Sequence, residues 1–140
     1  MPSEVVAVFF YGLLMDRALL ASRGIRPSAA TLGYVDGYAL RIGRRATLVP
    51  VDGDRAYGVL MRLRAEEVRA LYSEASVADY LAEPVPVVRP GGGLDAAVCY
   101  ILPEGKLEGA NPVYAKSLLK LAEKLGLPDD YLQQIRRQTG

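Results

Sequence analysis

A glycine turn, one glutamate and a group of arginines are the residues of this chain whose types and spacing could do chemistry. The turn is Phe10-Tyr11-Gly12-Leu13-Leu14-Met15. A strand that ends on glycine and leads into a helix leaves several backbone N–H groups unpaired and pointing one way. Such a junction can hold a carboxylate or a developing oxyanion without any charged side chain. It can equally be a turn that needs glycine for its conformation alone. The glutamate is Glu74, which follows Leu71 by three residues and Ala70 by four. If the helix expected there runs on, Glu74 falls on its core-facing side. A carboxylate in that position needs a pocket or a partner, and burial makes it a stronger general base. If the helix frays at Ser73 instead, Glu74 points into solvent, as most glutamates do. Arg41, Arg44 and Arg45 form a basic turn. It reads either as an anion site or, as its place between two strands favours, as a solvated hairpin tip. Tyr80 and Tyr114 could offer hydroxyls to a pocket.

Composition narrows what these groups can do. The 140 residues include no histidine and one cysteine. A Ser-His-Asp triad, a Cys-His dyad and a His-ligated metal are therefore excluded within one chain. So are an intrachain disulfide and a multi-cysteine metal cage. Proton transfer would have to run through carboxylates, tyrosines, lysines or backbone groups. The net charge of +1 gives no global support to nucleic-acid binding. The N-terminal residues do not read as a signal peptide, and no apolar stretch approaches the length of a membrane span. The expectation is a single cytoplasmic domain over residues 1–140. Cys99 reads as an inert core thiol.

The elements that must position these groups follow from periodicity. Residues 4–10 are an apolar, β-branched run, which predicts a strand buried on both faces. Residues 15–22 predict a short helix ended by Gly24 and Pro27. Residues 32–42 alternate with period two, and Gly33, Asp36 and Gly37 interrupt them where a bulge is expected. Gly43 to Arg45 predicts a turn. Residues 46–51 and 57–63 predict two further strands separated by an Asp52-Gly53 turn. A helix is expected over 65–73. Residues 80–89 read as an edge strand because of Pro84 and Pro86. Gly91-Gly92-Gly93 reads as a turn and not a phosphate loop, since no Lys-Ser/Thr follows it. A strand follows over 94–102. Asn111 as N-cap, Pro112, the stripe Tyr114, Leu118, Leu121, Leu125, and Gly126 as stop define a C-terminal helix. A second short helix opens at Pro128. This order is an α+β pattern.

Four of these segments together resemble one family. Residues 9–16, Phe-Phe-Tyr-Gly-Leu-Leu-Met-Asp, resemble the opening strand and Tyr-Gly turn of the γ-glutamylcyclotransferase-like (AIG2-like) proteins. Residues 55–63 resemble the family's second motif strand. Residues 66–80 are similar to its helix, catalytic glutamate and following tyrosine, with the six-residue step from Glu74 to Tyr80 matching. Residues 111–131 are similar to its closing helices. Leu13, Leu71 and Ala75 stand where the family usually has a small hydroxyl residue, an aspartate and a glycine.

The resemblance implies a small mixed β-barrel flanked by helices, with a cavity at the Tyr-Gly loop. It implies cyclisation of a γ-glutamyl group to 5-oxoproline, with release of an amine or amino acid. Glu74 would be the general acid and base, and Tyr11, Gly12, Leu13, Leu14, Tyr80 and Tyr114 would bind substrate. Neither metal nor cofactor is required. The expected partner is a small molecule bearing a γ-glutamyl-like group, not nucleic acid or membrane, and a homodimer is possible. A non-catalytic small-molecule-binding protein with the same fold and cavity is the alternative.

Overall fold

The computed structural model describes residues 4–75, 77–103 and 105–138. Ser76, within the segment that resembles the family's glutamate motif, lies outside them, as do Glu104 and residues 1–3 and 139–140 of the expected domain. Five strands close into a barrel: β1 (Val5–Phe10), β2 (Ala29–Ile42), β3 (Ala46–Arg64), β4 (Leu81–Val88) and β5 (Leu94–Ile101). Their order around it is β1-β3-β2-β4-β5. The β1–β5 contact is parallel, with Val8 opposite Val98, and the other pairings are antiparallel. The barrel is mixed, and four helices, α1 (Arg17–Ser22), α2 (Ala65–Leu71), α3 (Pro112–Leu125) and α4 (Asp129–Arg136), complete the fold.

The apolar run at the start becomes β1, with Val8, Phe9 and Phe10 fully enclosed between β3 and β5, but its first half is not buried on both faces as expected, since Val5 at the strand's start is 53% exposed. The helix after it begins later than periodicity suggests. Leu13–Met15 form a single 3-10 turn, and the Asp16 side chain accepts from the Ala18 amide, which starts α1 at Arg17.

The two strands expected over 46–51 and 57–63 are one continuous strand, β3. The pairs Tyr38–Pro50 and Asp36–Arg55 flank an irregularity in which Gly37 alone faces residues 51–54. The Asp52-Gly53 signal therefore marks an excursion within β3, not a chain reversal. A local turn signal cannot say whether the chain comes back. The bulge expected near Asp36 lies at this point.

Pro84 and Pro86 do not lie on an open edge. β4 pairs with β5 along its length and meets β2 only at Tyr34–Val88. The prolines face this sparsely bonded seam, where missing donors cost little. Gly33 permits the approach: a Cβ there would sit 2.8 Å from Val87 Cγ1 and 3.0 Å from the Val88 carbonyl oxygen.

α2 ends at Leu71, with Val68 and Leu71 buried, so it is shorter than expected. At the other end of the chain, Asn111 caps α3 by accepting from the Tyr114 amide at 3.0 Å, and Gly126 (φ 79°) terminates it. α4 packs back through Tyr131, Leu132 and Ile135. Gln138 then ties it to β2: its side-chain oxygen accepts from Ile42 N at 2.8 Å and its amide donates to Leu40 O at 3.1 Å. Cys99 is buried, and burial pushes its thiol up to about 12, so it is core filling as expected.

Candidate active site

The carboxyl end of β1, the 3-10 turn after it and the segment following α2 enclose a cavity of about 270 Å³. That volume is at the small end for ligand sites, which run from roughly 300 to 1,000 Å³, so it suits a metabolite. All seven residues expected at a site line it: Tyr11, Gly12, Leu13, Leu14, Glu74, Tyr80 and Tyr114. So do Arg23, Tyr72 and Tyr100, which sequence reasoning did not assign to a site, and Arg45, the only residue of the basic turn to reach it among the described residues.

The floor is the Tyr-Gly turn. Its internal bonds begin with Met15 N to Gly12 O and Asp16 N to Leu13 O, both 3.0 Å, so the amides of Leu13 and Leu14 have no partner inside the turn. The Leu13 amide instead donates to the Tyr114 hydroxyl oxygen at 3.2 Å. Crowding favours glycine at position 12: a Cβ there would fall 2.5 Å from that hydroxyl, and Tyr114 would have to shift to admit it. No described residue accepts the Tyr114 proton, so this hydroxyl retains a donor for a ligand.

The walls are tyrosines. Tyr72 and Tyr100 stack at 3.8 Å with 12° between their planes, and Tyr80 lies tilted against Tyr72. The Tyr11 hydroxyl donates to the Tyr100 carbonyl and the Tyr80 hydroxyl to the Ala46 carbonyl, each at 2.6 Å. Their protons are committed to the backbone, which separates Tyr80 from Tyr114. Burial drives the hydroxyls of Tyr11, Tyr72, Tyr100 and Tyr114 above the ordinary tyrosine value and that of Tyr80 up to about 12. A tyrosine in this cage stays protonated at neutral pH and is no base.

Glu74 is the one carboxylate lining the cavity among the described residues. It does not lie on the buried face of a helix. α2 has already ended, and the side chain is 46% exposed at the cavity mouth, held by Arg23 Nη1 at 2.7 Å. The frayed placement is the nearer one, since the helix stops early and Glu74 is exposed, but the next turn keeps it on the cavity. In the basic turn Arg41 and Arg44 are exposed, as a solvated tip requires, and Arg45 is the one that departs from it. Arg45 reaches inward, bonds Asp79 through both terminal nitrogens (2.7 and 3.0 Å) and lies over the Tyr80 ring. This bond holds the Asp79 carboxyl below the usual range and raises the guanidinium further. Arg44 packs against the loop before α3, its amide on the Glu108 carbonyl at 2.8 Å.

A closed mixed barrel with a Tyr-Gly turn, a lone carboxylate and a tyrosine-lined cavity defines a class of fold. The chain belongs to the family described as gamma-glutamyl cyclotransferase, AIG2-like, whose model matches residues 8–119. No curated protein matches it in sequence. Among solved structures it is similar to one titled gamma-glutamyl cyclotransferase, with a TM-score of 0.77, 19% identity, and 95% of this chain and 87% of that one covered. It is similar to YkqA from Bacillus subtilis, with a TM-score of 0.81 and 23% identity, over 97% of this chain and 54% of that longer one. An AIG2-like protein from Mus musculus superposes with a TM-score of 0.62 at 14% identity, covering 82% and 94%. At these identities the likeness establishes the fold.

Proposed function

We propose that this protein cyclises a γ-glutamyl group to 5-oxoproline, releasing an amine or an amino acid, with Glu74 as general acid and base. The substrate's α-amine attacks its γ-carbonyl carbon. A lactam C–N bond forms, the original amide C–N bond breaks, and the ammonium proton passes through Glu74 to the leaving nitrogen. The Leu14 amide and the Tyr114 hydroxyl, itself held by the Leu13 amide, bind the substrate carboxylate or the oxyanion of the tetrahedral intermediate. The tyrosine cage folds the substrate so that ring closure is unimolecular once it is bound.

The observation that carries this reading is the convergence of one carboxylate, the Tyr-Gly turn and a hydroxyl with an uncommitted proton on a single metabolite-sized cavity. A panel of γ-glutamyl amino acids, peptides and amines, assayed for 5-oxoproline, tests it. Release from at least one compound is expected, and none from any would overturn it. The pairing of Glu74 with Arg23 favours a second reading, a binding protein without turnover, because the pair takes one of the two carboxylate oxygens. That reading predicts saturable binding of panel compounds with no 5-oxoproline formed.

A further inference from the structure

We propose that Arg23 is a positioning residue that holds the Glu74 carboxylate at the cavity mouth, an inference that rests on Glu74 being the base. Glu74 lies beyond the end of α2, so no helix fixes its side chain. Its backbone is turned by the Val77 amide bonding to the Glu74 carbonyl at 3.0 Å. Its side chain has one polar contact among the described residues, Arg23 Nη1 on Oε2 at 2.7 Å. A half-exposed glutamate with several free torsions samples many rotamers unless something selects one.

Arg23 is well placed to select. Its amide bonds the Leu20 carbonyl at 3.0 Å at the end of α1. The chain then turns through Gly24 (φ 78°), and the Ile25 amide returns to the same carbonyl at 2.9 Å. Ile25 is buried, so the backbone around Arg23 is pinned on both sides while its guanidinium spans the cavity mouth. Because Arg23 engages one carboxylate oxygen, the other is left to exchange a proton with a ligand. α1 itself is set by the Asp16 cap directly after the Tyr-Gly turn. The same short stretch of chain thus supplies the anion-binding amide and the arginine that aims the base.

The test compares Arg23→Ala and Arg23→Lys with the parent, using the best compound of the panel. Arg23→Ala is expected to lower kcat about 10- to 100-fold with KM within about twofold, because misplaced catalytic groups cost rate more than binding. Arg23→Lys keeps the charge and is expected to recover much of that loss. The melting temperature of both should stay within about 5 °C of the parent, since exposed ion pairs contribute little to stability. An unchanged kcat, a higher kcat, a rise in KM alone, or no recovery with lysine would each overturn the positioning role. A second measurement needs no turnover: the side-chain scalar couplings of Glu74 by NMR. They should report one rotamer in the parent and averaging in Arg23→Ala, and averaging in both would overturn the inference. A parent that releases no 5-oxoproline would refute the proposed reaction, while these couplings would still decide whether Arg23 fixes Glu74.

Discussion

The barrel carries two tyrosine clusters built from the same parts. In the cavity, Tyr72, Tyr80 and Tyr100 pack together, Arg45 lies over Tyr80 at 5.6 Å, and Arg45 pairs with Asp79. Elsewhere on the barrel, Tyr57 packs tilted against Tyr34 and edge to face with Tyr131, Arg55 lies over Tyr34 at 3.8 Å, and Arg55 pairs with Asp36. Residue types alone do not tell them apart. What differs is the backbone behind the rings. In the first cluster two hydroxyls turn onto carbonyls, and the rings share their cavity with the Tyr-Gly turn and a carboxylate. In the second, α4 drives Tyr131 edge-on into the Tyr57 ring at 5.2 Å, which joins the helix to the sheet. Tyr34 and Tyr57 also border a cavity of about 270 Å³, but no carboxylate or guanidinium among the described residues lines it, so the first cluster frames a site and the second serves chiefly as a joint.

The comparison breaks most sharply at the carboxylate. Glu74→Gln keeps the shape of the cavity but removes the proton carrier, so 5-oxoproline release should fall about 10²- to 10⁴-fold. Binding of a γ-glutamyl compound by calorimetry should survive. Tyr34→Phe in the second cluster should leave turnover within about twofold, because surface changes away from a site are usually small. Equal activity of Glu74→Gln and the parent would remove Glu74 as the base.

The floor comes next. Gly12→Ala places a methyl against the Tyr114 hydroxyl, and Tyr114→Phe removes both that oxygen and its donor. Each is expected to lower kcat/KM by about tenfold or more, the scale of losing a hydrogen bond to a charged group. Since both act on one contact, their effects should not add: the double variant should be closer to Tyr114→Phe than to the product of the two losses. Full additivity in a double-mutant cycle would show that Gly12 and Tyr114 act separately.

Much of this was legible in the residues, and the limits are physical. β1 followed from an apolar run with no polar position, and α3 from an N-cap, a proline and a stripe, because those signals are local. The continuity of β3 through Asp52-Gly53 was not, because the sheet partner, not the turn residues, decides whether a chain reverses there. At the site, Tyr-Gly and Glu74 stood out by type and order. Arg23 did not, because its role depends on a contact across 51 positions of sequence that no spacing encodes. Arg45 read as a tip residue because turn arginines are normally solvated; the loop before α3 and Asp79 fold it inward. Tyr72 and Tyr100 are cage residues only once α2 and β5 are placed beside each other.

The Arg45–Asp79 pair makes stability depend on acid. Asp79 has its carboxyl lowered in the fold by the Arg45 hydrogen bond. Its contribution is therefore complete above the unfolded carboxyl value and is lost as pH falls through the lower folded one. Asp79→Asn should lower the melting temperature slightly at pH 7, and the difference from the parent should close below about pH 4. Thermal melts across pH 3 to 7 measure this. A difference that persists at pH 3 would mean the loss comes from packing and not from the charge.

The smallest effect belongs to the joint. Tyr131 is 1% exposed, and its buried hydroxyl approaches the Tyr57 backbone without reaching full hydrogen-bond geometry. A buried hydroxyl so poorly paired opposes folding, while the ring beneath it contributes apolar burial and an edge contact with Tyr57. Tyr131→Phe keeps the ring and removes only the oxygen. Stability in urea should then be unchanged or rise by up to about 1 kcal/mol, with turnover unaffected. A loss of about 1 kcal/mol would mean that the hydroxyl has a partner in solution. Tyr114→Phe removes the same oxygen from the other cluster and should cost activity instead. The same chemical change would then separate a ring that joins two elements from one that meets a ligand.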